Sequence, residues 1–181
     1  ELAQSKLKNL IDIEPANLMK TDLMWRNESM AINDFEQISL EKKSDMCDAK
    51  ATFLLVENPH FASHKNPDIS KFFKNIKCVV DNTNHPLLMH SLANFYLYGL
   101  GTEVNHQLAF EWYSKASALE NLNSLNSLGD LYLSAVGVEE DILKAYNAYY
   151  KAAELGNPSG MNSLGNFYHK GFIVEKNHDK A

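Results

Sequence analysis

The amino-acid sequence predicts an all-α fold, a right-handed α-solenoid of antiparallel helix pairs, with a less regular helical region at its N-terminus. The main observation behind this prediction is a repeat with a period of 36 residues in the second half of the chain. Each copy also contains two stretches whose apolar residues recur every three or four positions, as in amphipathic helices. A fixed period of about 20 to 50 residues indicates a solenoid, because a single helix hairpin cannot bury its apolar face alone.

The repeat is clearest between Asn126 and Gly160, and the neighbouring residues align with this copy column by column. Small residues stand directly after a column of leucines, at Ala93, Gly129 and Gly165. We expect these small residues to let paired helices approach closely, and the apolar and aromatic columns to form the core. Those columns are Leu92, Leu128 and Leu164; Tyr96, Tyr132 and Tyr168; Ala109, Ala145 and Ala181; and Tyr113 with Tyr149.

The ends of the predicted helices carry turn and cap signals. Gly99 and Gly101 stand between the two helices of the first copy, where glycine tolerates the left-handed backbone that ends a helix. Asn105, Asp141 and Asn177 follow in one column, and each side chain can accept a hydrogen bond from the first turn of the second helix. The other signals are Gly156 after the second helix, and Pro86 and Pro158 at the first position of the first helix.

This column pattern resembles the Sel1-like repeat family, whose members are relatives of the tetratricopeptide repeat. The positions that carry the resemblance in the second copy are Leu128, Gly129, Tyr132, Gly137, Val138, Asp141, Lys144, Ala145, Tyr149, Ala152, Ala153 and Gly156. The departures from the family pattern are Asn105, Leu108, Ser117 and Glu120 in the first copy, Ala135 in the second and Ile173 in the third. The resemblance covers residues 86–181, and it implies a solenoid of helix hairpins.

The repeat register divides the chain into three regions. Residues 86–121, 122–157 and 158–181 are predicted to be Sel1-like repeats, the last of them truncated. Residues 45–85 are predicted to be a degenerate repeat, because a helix capped by Asp68 precedes Pro86 much as the helix of the second copy precedes Pro158; a separate helical subdomain is the alternative. Residues 1–44 are expected to be an irregular helical region, with four helices between Glu1 and Val56 and a loop from Glu57 to Asp68.

Charge and composition exclude two classes of partner. The net charge is −6, with 17 Lys and Arg against 23 Asp and Glu, and no basic stripe suits a phosphate backbone, so we expect no nucleic acid. No stretch approaches the roughly 20 apolar residues that span a bilayer, so we expect no membrane insertion by this chain. Because it begins at Glu1 and stops inside the third copy, we expect a fragment or a processed form.

The cysteines and histidines give little sign of chemistry. Cys47 and Cys78 have no partner motif, and we expect buried free thiols, with a disulfide in an oxidising compartment as the alternative. His60 and His64 have the spacing of two ligands on one helix face, but they lie in a proline-flanked segment without a cysteine nearby. We therefore interpret them as surface-loop residues and expect no metal site.

The polar columns of the first helices predict a partner-binding surface. Positions two before and two after the leucine column lie on another face of that helix, and an asparagine-rich groove suits an extended peptide, because amides both donate and accept hydrogen bonds. A solvated face is the alternative interpretation. The predicted surface residues are His90, Asn126 and Asn162; Asn94, Asp130 and Asn166; and Leu97, Leu133 and His169.

We therefore expect a non-catalytic scaffold or adaptor that binds another protein or a peptide segment. The sequence has no phosphate-binding glycine loop, nucleophile elbow or HExxH motif, so we expect neither an enzyme nor a cofactor. The resemblance implies roles in membrane-associated quality-control complexes, in activation of cell-wall synthases, or in bacterial secreted or periplasmic interactions with a cell-wall or host ligand. A homo-oligomer that stacks through open repeat ends is a further alternative. We favour the cytoplasm, with the endoplasmic reticulum lumen and the bacterial periplasm or exterior left open.

Overall fold

The computed structural model describes residues 43–44, 47–57 and 68–171. Several predictions concern residues outside these ranges. They are the helices expected before residue 43, the loop that contains His60 and His64, and the third-copy positions Ile173, Asn177 and Ala181.

Seven helices have described bounds, and no residue in the described ranges lies in a strand. They are α1 (Ala49–Glu57), α2 (Ile69–Asn82), α3 (Pro86–Tyr98), α4 (His106–Ala118), α5 (Leu122–Ser134), α6 (Ile142–Glu154) and α7 (Pro158–Lys170). α3 packs on α4 and α5 packs on α6, while α7 contacts both α6 and α5. The predicted all-α solenoid of helix hairpins is confirmed. The first helices of the repeats are α3, α5 and α7, and the second helices are α4 and α6.

The predicted caps define where the helices begin. The side chains of Asp68, Asn105 and Asp141 each accept a hydrogen bond of 2.9 Å from the backbone N–H three residues on. Each bond satisfies one of the amides that the first helical turn leaves unpaired. Two further caps, Asn121 and Asn157, begin the first helices α5 and α7 in the same way and were not anticipated.

Left-handed residues end the helices, and two of them are not glycine. Gly99 and Gly171 follow α3 and α7 with φ near +69°, as the glycine signals predict. Ala135 occupies the equivalent place after α5 with φ +52°, and Glu120 lies between α4 and α5 with φ +60°, in the column of Gly156. The sequence departures at Ala135 and Glu120 therefore leave the turn geometry unchanged, at the cost of a backbone conformation that disfavours side chains.

The core of each hairpin lies between its two helices. Gly129 is buried against the Tyr149 ring, and a Cβ atom at this position would lie 2.4 Å from Cε1 of that ring. The predicted close approach at Gly129 is thus confirmed. Leu164, Tyr132 and Tyr168 are only half-buried. The predicted column residues that are buried are Leu92, Ala93, Tyr96, Ala109, Tyr113, Leu128, Gly129, Ala145 and Tyr149.

An edge-to-face aromatic pair joins each hairpin to the next. The Tyr132 ring on α5 lies 5.5 Å from the Phe110 ring on α4, with the planes at 82°. Equivalent pairs are Tyr96 with Phe73, at 5.4 Å and 86°, and Tyr168 with Tyr146, at 6.2 Å and 83°. This geometry places the positive edge of one ring against the negative face of the other. The tyrosine column therefore stabilises the stack of hairpins.

Turn glycines form a second contact between consecutive hairpins. Gly137 has φ +71°, and a Cβ atom there would lie 2.1 Å from the carbonyl oxygen of His106, at the start of α4. Gly101 has φ +68°, and a Cβ atom there would lie 2.5 Å from the carbonyl oxygen of Ile69, at the start of α2. α2 thus meets α3 through the same two contacts by which α4 meets α5. These contacts favour the interpretation of residues 45–85 as a degenerate repeat, which stays a prediction.

The expectation of free thiols at Cys47 and Cys78 is wrong. Their sulfur atoms are 2.01 Å apart and form a disulfide, with the Cα atoms separated by 5.8 Å. The bond joins the residues that precede α1 to the middle of α2. Because 31 residues separate the two cysteines in sequence, only the packing of this pair of helices brings them together.

Candidate partner-binding surface

The first helices present a grid of polar side chains, which we call the first-helix face. Each helix contributes three residues at four-residue spacing, which places them on one side of that helix. The first-helix face consists of His90, Asn94 and Tyr98 on α3; Asn126, Asp130 and Ser134 on α5; and Asn162, Asn166 and Lys170 on α7. Six of these nine residues are among the predicted surface residues.

Tyrosine hydroxyls from the second helices hold the middle row of the first-helix face. The Tyr149 hydroxyl on α6 donates to Oδ1 of Asp130 over 2.7 Å, and the Tyr113 hydroxyl on α4 donates to Oδ1 of Asn94. Each bond spans 19 residues and links the two helices of one hairpin. The rings are buried in the core, so they fix the positions of the two acceptors. Asn94 and Asp130 therefore use part of their hydrogen-bonding capacity within the hairpin, and the sequence did not indicate this.

Asp130 is the only carboxylate on the three described first helices. Partial burial raises its pKa, and the hydrogen bond from Tyr149 lowers it in part. Nδ2 of Asn126 also donates to Oδ2 of Asp130, over 3.3 Å. Within the described ranges this carboxylate has hydrogen-bond donors but no ion-pair partner. Since a carboxylate accepts about four hydrogen bonds, Asp130 retains acceptor capacity on its exposed side.

His90 lies between two consecutive hairpins. Its Nδ1 atom is 3.0 Å from Oγ of Ser124 on α5, and its ring lies 5.3 Å from the Tyr113 ring. Burial lowers the pKa of His90 to about 4, so the ring is neutral at neutral pH. The predicted surface position His90 is thus half-buried, and its contacts join α3 to α5.

The third column of predicted surface residues is exposed on α7 but half-buried on α3 and α5. Leu97 and Leu133 are half-buried and pack against the core clusters, whereas His169 is exposed. The adjacent positions Tyr98 and Ser134 are exposed instead, and Tyr98 exposes 66% of its surface. Tyr98 could have been predicted from its four-residue spacing from Asn94, because this spacing places it on the same side of α3 as His90 and Asn94.

At the first two positions of each helix, exposure on the first-helix face increases toward α7. His90 and Asn94 on α3 are half-buried, whereas Asn162 and Asn166 on α7 are exposed. Asn126 is half-buried, and its Oδ1 atom is buried without a hydrogen-bond partner. The face therefore offers rigid acceptors on α3 and α5, and freely accessible amides on α7.

The described ranges show neither a metal-binding group nor a membrane helix. No group of three or more His, Cys, Asp or Glu in these ranges has the arrangement needed to hold a metal ion. In the same part of the chain, none of the helices combines the length and the apolar character needed to cross a bilayer.

Comparison with known protein families identifies the repeat. The sequence profile of the Sel1 repeat matches residues 86–121, 123–157 and 158–181, which together make up just over half of the chain. No curated protein sequence matches this chain.

Three solved structures share the fold. A Sel1 repeat protein from Oxalobacter formigenes superimposes with a TM-score of 0.60 and 23% identity, over 80% of this chain and 54% of that one. The c5321 protein, a protective antigen of uropathogenic Escherichia coli strains with an SLR fold, gives 0.60 and 21%, over 92% and 38%. Helicobacter pylori cysteine rich protein B gives 0.53 and 20%, over 84% and 98%.

The chain thus spans about half or less of the length of the first two of these proteins. At these identities the similarity shows the fold. The sequence profile covers more than half of the chain, and the hairpins repeat with the period and contacts described above. This protein therefore belongs to the Sel1 repeat family.

Proposed function

We propose that this protein is a non-catalytic scaffold whose first-helix face binds an extended segment of a partner protein. Sel1 repeat proteins generally mediate protein–protein interactions and are typically non-catalytic. The observation that carries the proposal for this chain is the row of Asn94, Asp130 and Asn166. Two of these acceptors are held in place by buried tyrosines, and the third is exposed.

The chemistry of this row suits a peptide backbone. An extended peptide presents N–H and C=O groups in alternation, and amide side chains pair with both. Acceptors that are fixed before binding reduce the entropy lost when a complex forms. The aromatic side chain of Tyr98 adds an exposed apolar contact beside the polar row, and exposed aromatic residues are frequent in protein interfaces.

The test is affinity capture from an extract of the source organism with the full chain, compared with a variant of the first-helix face. We choose Tyr98→Ala, Asn162→Ala and Asn166→Ala together, because all three side chains are exposed and their truncation leaves the core intact. Asn94 and Asp130 stay unchanged in this variant, since their removal would leave the hydroxyls of Tyr113 and Tyr149 without acceptors. We expect partner proteins quantified by mass spectrometry to be depleted with this variant.

A matched control carries three exposed substitutions on the second helices, Glu111→Ala, Asn147→Ala and Lys151→Ala. This control should retain the partner, and both variants should melt cooperatively near the temperature of the unmodified chain. Retention of the partner by both variants would refute the first-helix face as the binding site. Self-association seen by light scattering, and lost only in the first-helix variant, would favour a homo-oligomer instead.

The disulfide favours a binding function outside the reducing cytosol. Bonds such as Cys47–Cys78 persist in oxidising compartments, which include the endoplasmic reticulum lumen, the bacterial periplasm and the cell exterior. The capture experiment should accordingly be carried out without reductant.

A further inference from the structure

We infer that the partner segment carries a basic side chain, arginine or lysine, which binds between the Asp130 carboxylate and the Tyr98 ring. This inference rests on the proposed function, because it names the chemistry of the segment that the first-helix face would bind. It follows from three features of that face: a carboxylate whose hydrogen-bond donors in the described ranges are neutral, an exposed aromatic ring on the neighbouring helix, and the lack of basic residues on the described first helices before the end of α7.

The first feature is the charge of Asp130. The carboxylate lies in the central row of the middle first helix, and in the described part of the chain no Lys, Arg or His forms an ion pair with it. Its two hydrogen-bond donors within the described ranges, the Tyr149 hydroxyl and the Asn126 amide, are neutral. A guanidinium or ammonium group that replaced the water on its exposed side would form a charge-assisted hydrogen bond, which is stronger than a bond between neutral groups.

The second feature is the position of Tyr98 on the helix beside α5. Nδ1 of His90 on α3 lies 3.0 Å from Oγ of Ser124 on α5, so these two first helices are neighbours. Tyr98 follows His90 by about two turns and Asp130 follows Ser124 by just under two turns, so both side chains lie at a similar level of the first-helix face. The ring of Tyr98 is 66% exposed, so its face is accessible to a cation, and a cation near an aromatic ring gains further attraction.

The third feature is the sign of the surrounding polar atoms. Asn94 and Asp130 each direct a side-chain oxygen toward a tyrosine hydroxyl of the same hairpin. The described first helices carry no basic residue before His169 and Lys170 at the end of α7, apart from His90, which is neutral at pH 7. Among the residues that the structure describes, the centre of the face thus has no cation, and the net charge of −6 also favours the approach of a basic segment.

The test uses a display library of short random peptides, selected against the full chain under non-reducing conditions. The informative variant is Asp130→Asn, which keeps an oxygen for the Tyr149 hydroxyl. Asparagine already occupies the same column at Asn94 and Asn166, so the fold tolerates it. Glu111→Gln is the matched control, because it removes one exposed negative charge on α4, away from the first-helix face.

We expect peptides selected on the unmodified chain to share one basic position and to bind Asp130→Asn about tenfold more weakly, as for the loss of one charge-assisted bond. Affinity for the unmodified chain should fall with added salt, whereas affinity for Asp130→Asn should respond less. The Glu111→Gln control should bind as tightly as the unmodified chain, and Tyr98→Ala should also weaken binding of the basic peptides.

Each other outcome contradicts the inference in a distinguishable way. Peptides that bind the first-helix face without a shared basic position, or that bind Asp130→Asn unchanged, would overturn the inference and leave the proposed function intact. Peptides whose binding is insensitive to the Tyr98, Asn162 and Asn166 substitutions would overturn both. Self-association that Asp130→Asn abolishes would assign the cation to a second copy of the chain and would refute a separate partner.

Discussion

The Tyr149 hydroxyl donates a hydrogen bond to the Asp130 carboxylate over 2.7 Å, and this bond connects the second helix of a hairpin to the exposed face of its first helix. The same arrangement occurs one repeat earlier between Tyr113 and Asn94. A buried ring thus positions a surface acceptor in both hairpins, so that the core and the candidate binding surface depend on each other.

Removing the Tyr149 hydroxyl should destabilise the protein. We expect Tyr149→Phe to lower the free energy of unfolding by about 1 kcal/mol, because the acceptor is charged but partly exposed. Tyr113→Phe should cost less, about 0.5 kcal/mol, because its acceptor is a neutral amide. Urea unfolding of both variants measures the difference. In Tyr149→Phe the pKa of Asp130 should also rise, because the hydrogen bond from Tyr149 lowers that pKa in the unmodified protein. An equal loss of stability in the two variants would show that the charge of the acceptor adds nothing to the bond.

The contact of Gly137 with α4 predicts a large effect of adding one methyl group. Gly137→Ala should cost about 2 to 4 kcal/mol, because the new Cβ overlaps the His106 carbonyl and the backbone is left-handed. Gly156→Ala is the control, since its φ is +83° but no atom lies within 4 Å of the added Cβ. This control should cost only about 1 kcal/mol for the backbone conformation. Similar losses of stability in both variants on chemical unfolding would show that the His106 backbone moves away from the added methyl group at little cost.

The left-handed residues Ala135 and Glu120 predict stabilising substitutions. Ala135→Gly and Glu120→Gly should each raise the free energy of unfolding by about 0.5 to 1 kcal/mol, because glycine adopts positive φ without steric cost. Lys151→Gly, at an exposed position inside α6, should lower it by about 1 kcal/mol instead. Thermal unfolding followed by circular dichroism shows which variants are more stable and which are less stable than the unmodified protein. A decrease in the free energy of unfolding for all three variants would mean that the freedom glycine adds to the unfolded chain outweighs the relief of backbone strain.

Acid should destabilise the contact between α3 and α5 through His90. The folded pKa of about 4 lies below the ordinary value of 6.5, so the unfolded chain binds the proton more tightly. This contribution to stability is therefore complete above pH 6.5, falls as the pH drops toward 4, and amounts to roughly 3 kcal/mol. His90→Asn, which places the residue of the Asn126 column at this position, should flatten the pH dependence in that window. Denaturant titrations at several pH values test this prediction. If the free energy of unfolding depends on pH in the same way in the variant, other groups cause the effect.

Reduction of the Cys47–Cys78 bond should weaken the N-terminal part of the described structure. A loop of 31 residues closed by a disulfide contributes about 3 to 4 kcal/mol through the restricted unfolded chain. Cys47→Ser with Cys78→Ser should reproduce the loss seen with a reductant. Hydrogen exchange should show the loss in α1 and α2 before α5 and α6, which have no such bond. Thiol titration of the unfolded native protein without reductant should find no free thiol at either position; two free thiols would refute the bond.

Much of the fold follows from local sequence signals. The caps Asn105 and Asp141 and the prolines Pro86 and Pro158 fix where helices begin, because each satisfies or removes an amide in the first turn. The buried columns follow from the period, since equivalent residues in stacked hairpins occupy equivalent places. Turn conformation is also local, and it tolerated Ala135 and Glu120 in place of glycine.

The sequence by itself determined the period, the starts of most described helices and which columns are apolar, because these depend on residues close together along the chain. Tertiary structure decided the rest. The Cys47–Cys78 bond, the Phe73 pair with Tyr96 and the Tyr149 bond to Asp130 each join residues from separate segments of the chain. Such contacts depend on how helices rotate and approach each other in space, and the spacing of residues in one chain does not specify that geometry.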